Sequence, residues 1–179
     1  MLQSLSIKDF ALIDSLELNL REGFTVITGE TGAGKSIIID AFLAALGERT
    51  SADIVRGGAA KAVIELVFDS STNDAVRNFL RKHEYDDDAL VIIRREIKAA
   101  GSSRFFINDS PATAAQVREI GMLIVDFHGQ YEHQSVLRAA EQLRIVDALA
   151  HNDERLRRYR ELYVGARNLV RERNDLQSK

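Results

Sequence analysis

Apolar and polar residues alternate differently in successive segments at the start of the chain, and each pattern predicts a different element. Residues 2–10 alternate loosely and residues 12–20 cleanly, which predicts a half-buried antiparallel pair of strands. Residues 24–28 have no polar face, so they predict a strand buried on both sides, as in a parallel sheet. A glycine-rich turn then leads into residues 37–46, which are apolar all round and predict a buried helix ending at Gly47.

The middle of the chain continues with strand patterns. Residues 61–68 alternate strictly, which predicts a strand that presents one apolar face made of Ala62, Ile64, Leu66 and Phe68. A short helix capped by Ser71 or Thr72 should follow, with Val76, Phe79, Leu80 and His83 on one side. Residues 90–97 and 104–107 are joined by a Gly-Ser-Ser turn and predict a hairpin.

Helical patterns then become more prominent. Ser110 followed by Pro111 predicts a helix start, with the hydroxyl as N-cap and the ring in the first turn, and this helix should run to about Glu119. The apolar run 122–127 predicts a second buried strand. From about Glu141 the chain is rich in good helix formers and predicts a long helix.

The charge distribution changes near residue 150. Of the 179 residues, residues 1–150 carry 16 basic and 22 acidic side chains, whereas residues 151–179 carry 8 and 5. We therefore expect a globular lobe over 1–150 and a separate helix over 151–179. Heptad spacing predicts a coiled coil, with a and d positions at Tyr159, Leu162, Ala166, Leu169 and Leu176. A helix packed on its own lobe is the alternative, which the many arginines of this segment disfavour.

Composition excludes several classes of function. The chain has no cysteine, so a disulfide framework, a thiolate metal site and a thiol nucleophile are excluded. No segment approaches the ~18 consecutive apolar residues of a membrane span, and we expect a cytoplasmic protein without a membrane partner. The net charge of −3 disfavours binding of nucleic acid by bulk charge.

The strongest motif is a phosphate-binding loop, G-x-x-x-x-G-K-S, between the predicted strand and helix. It consists of Gly29, Glu30, Thr31, Gly32, Ala33, Gly34, Lys35 and Ser36. Its glycines let successive backbone N–H groups turn inward and surround a diphosphate at the start of a helix. Lys35 then reaches the β and γ phosphates, and the Ser36 hydroxyl can ligate Mg²⁺. The motif predicts nucleotide binding but names no reaction.

Several blocks of residues, taken in order, resemble the RecN family of bacterial DNA repair proteins, relatives of the structural-maintenance-of-chromosomes (SMC) ATPases. The blocks are residues 7–14, 26–36, 46–49, 53–59, 104–108 and 126–134. This resemblance implies an α/β fold: the N-terminal lobe of a P-loop ABC-type ATPase head, followed by a long coiled-coil helix. The lobe should have a mixed sheet, with antiparallel strands and a parallel core.

The resemblance also implies a role and partners. Such a protein acts in recombinational repair of DNA double-strand breaks and hydrolyses ATP with Mg²⁺ when two heads dimerise. Its C-terminal lobe supplies the signature motif, the Walker B aspartate and the catalytic glutamate, none of which is found in this sequence. We therefore expect this chain alone to bind ATP with little or no turnover. The implied partners are its own C-terminal lobe, a second copy through heads and coiled coil, and DNA.

Particular residues take roles through the same resemblance. Lys35 and Gln130 are the implied catalytic residues of this lobe, and Gln130, as the Q-loop glutamine, is also an implied Mg²⁺ ligand beside Ser36. Gln134 is the alternative for that glutamine. Arg56 is an implied nucleotide-binding residue, and Arg49 is a weaker candidate for the same contact with nucleotide or DNA.

Two other functions remain open. A P-loop nucleoside or metabolite kinase would share the strand, loop and helix, but it would place that strand within its first residues and add a basic lid. A structural module would use the long helix for assembly and leave the loop empty. The two strand patterns before Gly29 and the terminal heptads disfavour the kinase.

Overall fold

The computed structural model describes residues 1–29, 34–127, 142–143, 146–147 and 149–177. The chain divides into two compact units, Met1–Asp126 and Phe127–Lys179. The predicted boundary near residue 150 stays a prediction.

The first unit is built on a six-stranded sheet in the order β2-β1-β3-β4-β5-β6, in which every neighbouring pair is antiparallel. The strands are β1 (Leu2–Phe10), β2 (Ile13–Asn19), β3 (Lys61–Asp69), β4 (Leu90–Lys98), β5 (Ser103–Ile107) and β6 (Ser110–Ala112). Three helices accompany them: α1 (Lys35–Ala45), α2 (Asp74–Lys82) and α3 (Ala114–Ile124), with a short 3₁₀ helix at Ala52–Ile54.

One face of the sheet carries the core. Alternate residues of β1, β3 and β4 are buried, and Ile64 pairs with Ile7 on one side and lies opposite Arg95 on the other. The fully buried side chains include Phe10, Phe68, Leu66, Leu80, Ile93, Ile107 and Ile120. Burial of this kind contributes about 1.5–3 kcal/mol for each large apolar side chain. The period-two patterns predicted for residues 2–10, 12–20, 61–68, 90–97 and 104–107 are therefore confirmed as strands.

The predicted parallel core strand at 24–28 is wrong for this structure. Residues 24–28 form no regular strand, and Phe24 is 93% exposed while Val26 is 61% and Ile27 50% exposed. An apolar run becomes a buried strand only where neighbouring strands pair with its backbone and other elements cover both faces. Among the described residues no strand pairs with this segment. Every strand pair of the sheet in the described part of the chain is therefore antiparallel.

The start of α2 corrects a second prediction. Asn73, rather than Ser71 or Thr72, is the N-cap, because its side-chain oxygen accepts from the Val76 amide at 3.2 Å. The apolar face is confirmed, since Val76, Phe79 and Leu80 are buried.

Ser110 and Pro111 do not begin a helix. They belong to β6, which pairs with β5 after a two-residue turn, and an edge strand tolerates proline because one side of it needs no donor. Helix α3 begins three residues later, where Thr113 and Gln116 form a capping box.

The predicted strand at 122–127 is also wrong. Helix α3 continues to Ile124, and Met122 is 77% exposed. Short apolar runs do not separate a strand from a helix, and here Val117, Ile120 and Gly121 continue one buried helical face.

In the second unit, helix α4 spans Asp153–Gln177, so the long helix is confirmed over that range. Its apolar side chains stay exposed, among them Tyr159, Leu162, Tyr163, Leu169, Val170 and Leu176. Exposed apolar side chains at heptad spacing are typical of a helix that pairs in a coiled coil, and that pairing stays a prediction.

Candidate nucleotide-binding site

The N-terminus of α1 carries the last residues of the candidate phosphate loop. Gly34 is the N-cap, with φ 94° and ψ −1°, in the left-handed region that L side chains rarely adopt. It makes no side-chain cap hydrogen bond, and the first turn of α1 contains no acidic residue. Within the described residues, no carboxylate of this turn competes for the N–H groups and the positive end of the helix dipole, an arrangement that can bind an anion.

Lys35 lies across the ends of the loop. Its Nζ donates to the carbonyl oxygen of Gly29, which brings the ammonium to the first residue of the motif. A Cβ at Gly29 would lie 3.5 Å from this Nζ. Ser36 follows on the first turn with an exposed side chain, where its hydroxyl is accessible to a metal ion or to water. The sequence-predicted residues Gly29, Gly34, Lys35 and Ser36 are thus brought together.

Other predicted site residues lie outside the described residues. These are Glu30, Thr31, Gly32, Ala33, Gln130 and the alternative Gln134. Their roles stay predictions. Within the part of the chain that the structure describes, no group of three or more His, Cys, Asp or Glu side chains could hold a metal ion.

Arg56 contacts the turn between β1 and β2. Its Nη1 donates to the Leu12 carbonyl at 2.9 Å, and its backbone N–H donates to the Asp9 carbonyl at 2.9 Å. Asp9 and Ala11 have positive φ, so these bonds support a strained turn. The predicted nucleotide contact of Arg56 stays a prediction beside this structural role. Arg49 is exposed beyond the C-terminal end of α1, the end opposite Gly34.

The other end of α1 depends on residues that the sequence analysis missed. Arg95 on β4 is 5% exposed, and its Nη1 donates to the carbonyls of Ala44 and Glu48, each at 2.6 Å. Its Nε donates to Ser103 Oγ at 3.0 Å, and its guanidinium lies 4.5 Å from the centre of the Phe105 ring. Burial lowers the pKa of Arg95 from its usual value. A signal was available: Arg95 occupies an inward position in the alternation of residues 90–97.

Comparisons with known proteins define the class. The family model described as an AAA domain matches residues 4–179, and the chain belongs to this family. A solved structure from work on ATP-driven dimerization and DNA-stimulated activation of SMC ATPases aligns with a TM-score of 0.60 over 83% of this chain and 98% of its own, at 23% identity. The SMC head domain from Thermotoga maritima aligns with a TM-score of 0.51 over 66% of this chain and 41% of its own, at 26% identity. The fold is therefore that of an SMC-type ATPase head.

Among curated proteins, the chain is similar to the DNA repair protein RecN. The RecN protein of Xylella fastidiosa strain Temecula1 is 39% identical over 179 residues, which cover all of this chain and 32% of that protein. The chain thus spans about a third of the length of this relative. The resemblance to RecN and the head fold are confirmed. Among the helices of the described residues, none has the length and apolar character needed to cross a membrane.

Proposed function

We propose that this chain is the ATP-binding N-terminal lobe of a RecN-like DNA repair ATPase. The observation that carries the proposal is the arrangement at the start of α1, where a left-handed glycine without a side-chain cap is followed by Lys35 with its ammonium at Gly29. Similarity to RecN and to SMC heads supports the nucleotide and the DNA repair context.

Each described residue of the loop has a defined task. Gly34 begins the helix in a conformation that exposes the first-turn N–H groups to a phosphate. The Lys35 ammonium exchanges the Gly29 carbonyl for phosphate oxygens, so nucleotide binding should break the bond between these two residues. The exposed hydroxyl of Ser36 fits a hard cation, and Mg²⁺ bound there would neutralise phosphate charge.

Hydrolysis needs more than this lobe. The resemblance assigns the signature motif and the catalytic glutamate to a C-terminal lobe, and this chain spans only about a third of its relative. We therefore propose that the lobe binds ATP with Mg²⁺ but turns it over slowly alone, and that turnover requires its C-terminal lobe and a second head. The exposed apolar face of α4 fits pairing with another coiled-coil strand. In the full protein we propose a further partner, DNA.

Calorimetric titration with ATP and Mg²⁺ tests the binding step. Lys35→Ala should weaken binding tenfold to a hundredfold, because a charge-assisted hydrogen bond is worth about 1.5–3 kcal/mol. Lys61→Ala is a matched control, since it also removes one lysine but its ammonium pairs with Glu96 at 2.9 Å on the sheet. Wild-type chain that takes up no nucleotide, or equal affinity of Lys35→Ala and wild type, would refute the proposal.

A turnover assay separates the remaining functions. Addition of the proposed C-terminal lobe should raise phosphate release from ATP, and Lys35→Ala should abolish the increase. Transfer of the γ-phosphate to a small acceptor would instead indicate the kinase, and assembly without nucleotide uptake would indicate the structural module.

A further inference from the structure

The C-terminal end of α1 is held by two arginines from different elements. Arg95 donates to the carbonyls of Ala44 and Glu48, and Arg118 on α3 donates through Nη1 to the Gly47 carbonyl at 3.0 Å. Carbonyl oxygens at a helix C-terminus carry the negative end of the dipole, so both cations are favourably placed.

Backbone geometry tightens this end further. Gly47 has φ 97°, and its N–H donates to the Ala44 carbonyl while the Glu48 N–H donates to the Leu43 carbonyl, which is a Schellman motif. A Cβ at Gly47 would lie 2.7 Å from Arg118 Cγ, so α3 packs directly against the glycine. The end of α1 therefore has little freedom to move against β4 or α3.

The N-terminal half of α1 has weaker tertiary support than the C-terminal half among the described residues. The buried residues of the helix are Ala41, Ala44 and Ala45, all in its second half. In the first half Ile37 and Ile38 are only partly buried against the core, and Ser36 and Ile39 are exposed. The helix is about 16 Å long at 1.5 Å per residue, so a small tilt at its anchored end displaces Gly34 appreciably.

We propose that Arg95 is a positioning residue for the phosphate site, because it fixes the C-terminal end of α1 and thereby the place of the N–H groups at the other end. This inference rests on the proposed nucleotide site. Arg95 contacts the opposite end of α1 from Gly34, so its effect on the phosphate site is transmitted through the helix. It is separated in sequence by 47 and 51 residues from the carbonyls of Glu48 and Ala44 that it binds.

Replacement of Arg95 by Gln tests the proposal. Gln is too short to reach both carbonyls and lacks the charge, so the N–H groups at the start of α1 lose their fixed position and nucleotide affinity should fall about tenfold. Arg95→Lys restores the charge and one donor group and should recover part of the affinity. Arg94→Gln is the matched control, because the Arg94 guanidinium pairs with Asp109 at 2.8 Å and lies over Phe106 instead of contacting α1.

Amide hydrogen exchange without nucleotide supplies a second readout. Arg95→Gln should exchange faster than the wild type at residues 38–41, whose N–H groups donate within α1, while the amides of β1 and β3 keep their protection, whereas general destabilisation would raise exchange everywhere. Should Arg95→Gln fail to fold, Arg118→Gln replaces it, since Arg118 is exposed, and a two- to threefold loss of affinity with the same local exchange pattern is expected.

The outcomes distinguish this inference from the proposed function. Unchanged affinity and unchanged exchange at residues 38–41 in the folded variant would overturn the role of Arg95. Absence of nucleotide binding by the wild type would overturn the proposed function, while the exchange measurement would still decide whether Arg95 holds the start of α1.

Discussion

The turn between β5 and β6 depends on one side chain, and its replacement gives a prediction with a calculable size. Asn108 and Asp109 have φ 46° and 60°, as a type I′ hairpin turn requires. Asn108 Oδ1 accepts from the Ile92 N–H at 2.8 Å, and its Nδ2 donates to the Asp86 carbonyl at 2.8 Å. Asn108 thus joins the hairpin to β4 and to the loop that precedes β4.

Asn108→Ala should lower the free energy of unfolding by about 3 kcal/mol. Leaving the half-buried Ile92 N–H without its acceptor costs about 1–2 kcal/mol, and loss of the exposed bond to Asp86 adds about 0.5 kcal/mol. A positive φ at alanine adds about 1 kcal/mol. Asn108→Gly loses the same bonds without the backbone cost, so we expect about 2 kcal/mol. Asn108→Asp keeps the acceptor for Ile92 and loses only the bond to Asp86, so it should lose about 0.5 kcal/mol.

Urea unfolding followed by circular dichroism measures these differences, provided that the slope of free energy against urea is the same in all four proteins. The wild type should be the most stable, followed in decreasing order by Asn108→Asp, Asn108→Gly and Asn108→Ala. Equal stability of the glycine and alanine variants would refute the backbone argument, and equal stability of the aspartate and glycine variants would refute the role of the Ile92 bond.

Three further predictions concern α1, α3 and the sheet. Gly47→Ala should destabilise the chain by about 2 kcal/mol or more in urea, because φ is 97° and the new Cβ would lie 2.7 Å from Arg118 Cγ. Thr113→Ala should cost about 1 kcal/mol by removing the N-cap of α3. The Lys61 hydrogen bond lowers the pKa of Glu96, so this pair stabilises the fold above the ordinary carboxyl pKa and loses its effect as pH falls through the lowered folded value. Because Lys61 is 46% exposed, Lys61→Gln should reduce the acid-dependent loss of stability by only about 0.5 kcal/mol, measured by urea unfolding at neutral and acidic pH.

The first two of these predictions have matched control variants. Gly58 also has a positive φ but has open space around it, so Gly58→Ala separates backbone strain from the steric contact at Gly47. Thr113→Ser keeps the capping oxygen and should stay close to wild type. Equal effects of the two glycine variants, a loss in Thr113→Ser as large as in Thr113→Ala, or a pH profile unchanged by Lys61→Gln would each contradict the corresponding reasoning.

Much of the first unit was predictable because its signals are local. Alternation at residues 61–68 predicted the buried face of β3, and an apolar helix ended by glycine predicted α1 up to Gly47. Side chains alternate across any strand and a left-handed residue ends many helices, so these patterns hold before tertiary contacts are known. The proposed phosphate loop was identified in the same way, from the spacing of its glycines, lysine and serine, and its role stays a prediction.

The errors occurred where a local pattern allows two outcomes. Ser110 and Pro111 suit a helix start as well as an edge strand. They form a strand here because the turn at Asn108 and Asp109 returns the chain antiparallel to β5. The apolar run at 122–127 suits a strand as well as a helix, and packing of α3 through Ile120 and Gly121 decided for the helix.

Taken by itself, the sequence determined the strands with one apolar face, the helix after the glycine-rich loop, and the long terminal helix, because these follow from side-chain periodicity and backbone preference. Only the tertiary structure decided that residues 24–28 remain exposed and that Arg95 binds the end of α1. Both depend on which distant backbone groups come within hydrogen-bonding distance, and Arg95 lies 51 residues from the Ala44 carbonyl it contacts. Periodicity places a residue on a face, whereas the partner opposite that face is selected when the whole chain packs.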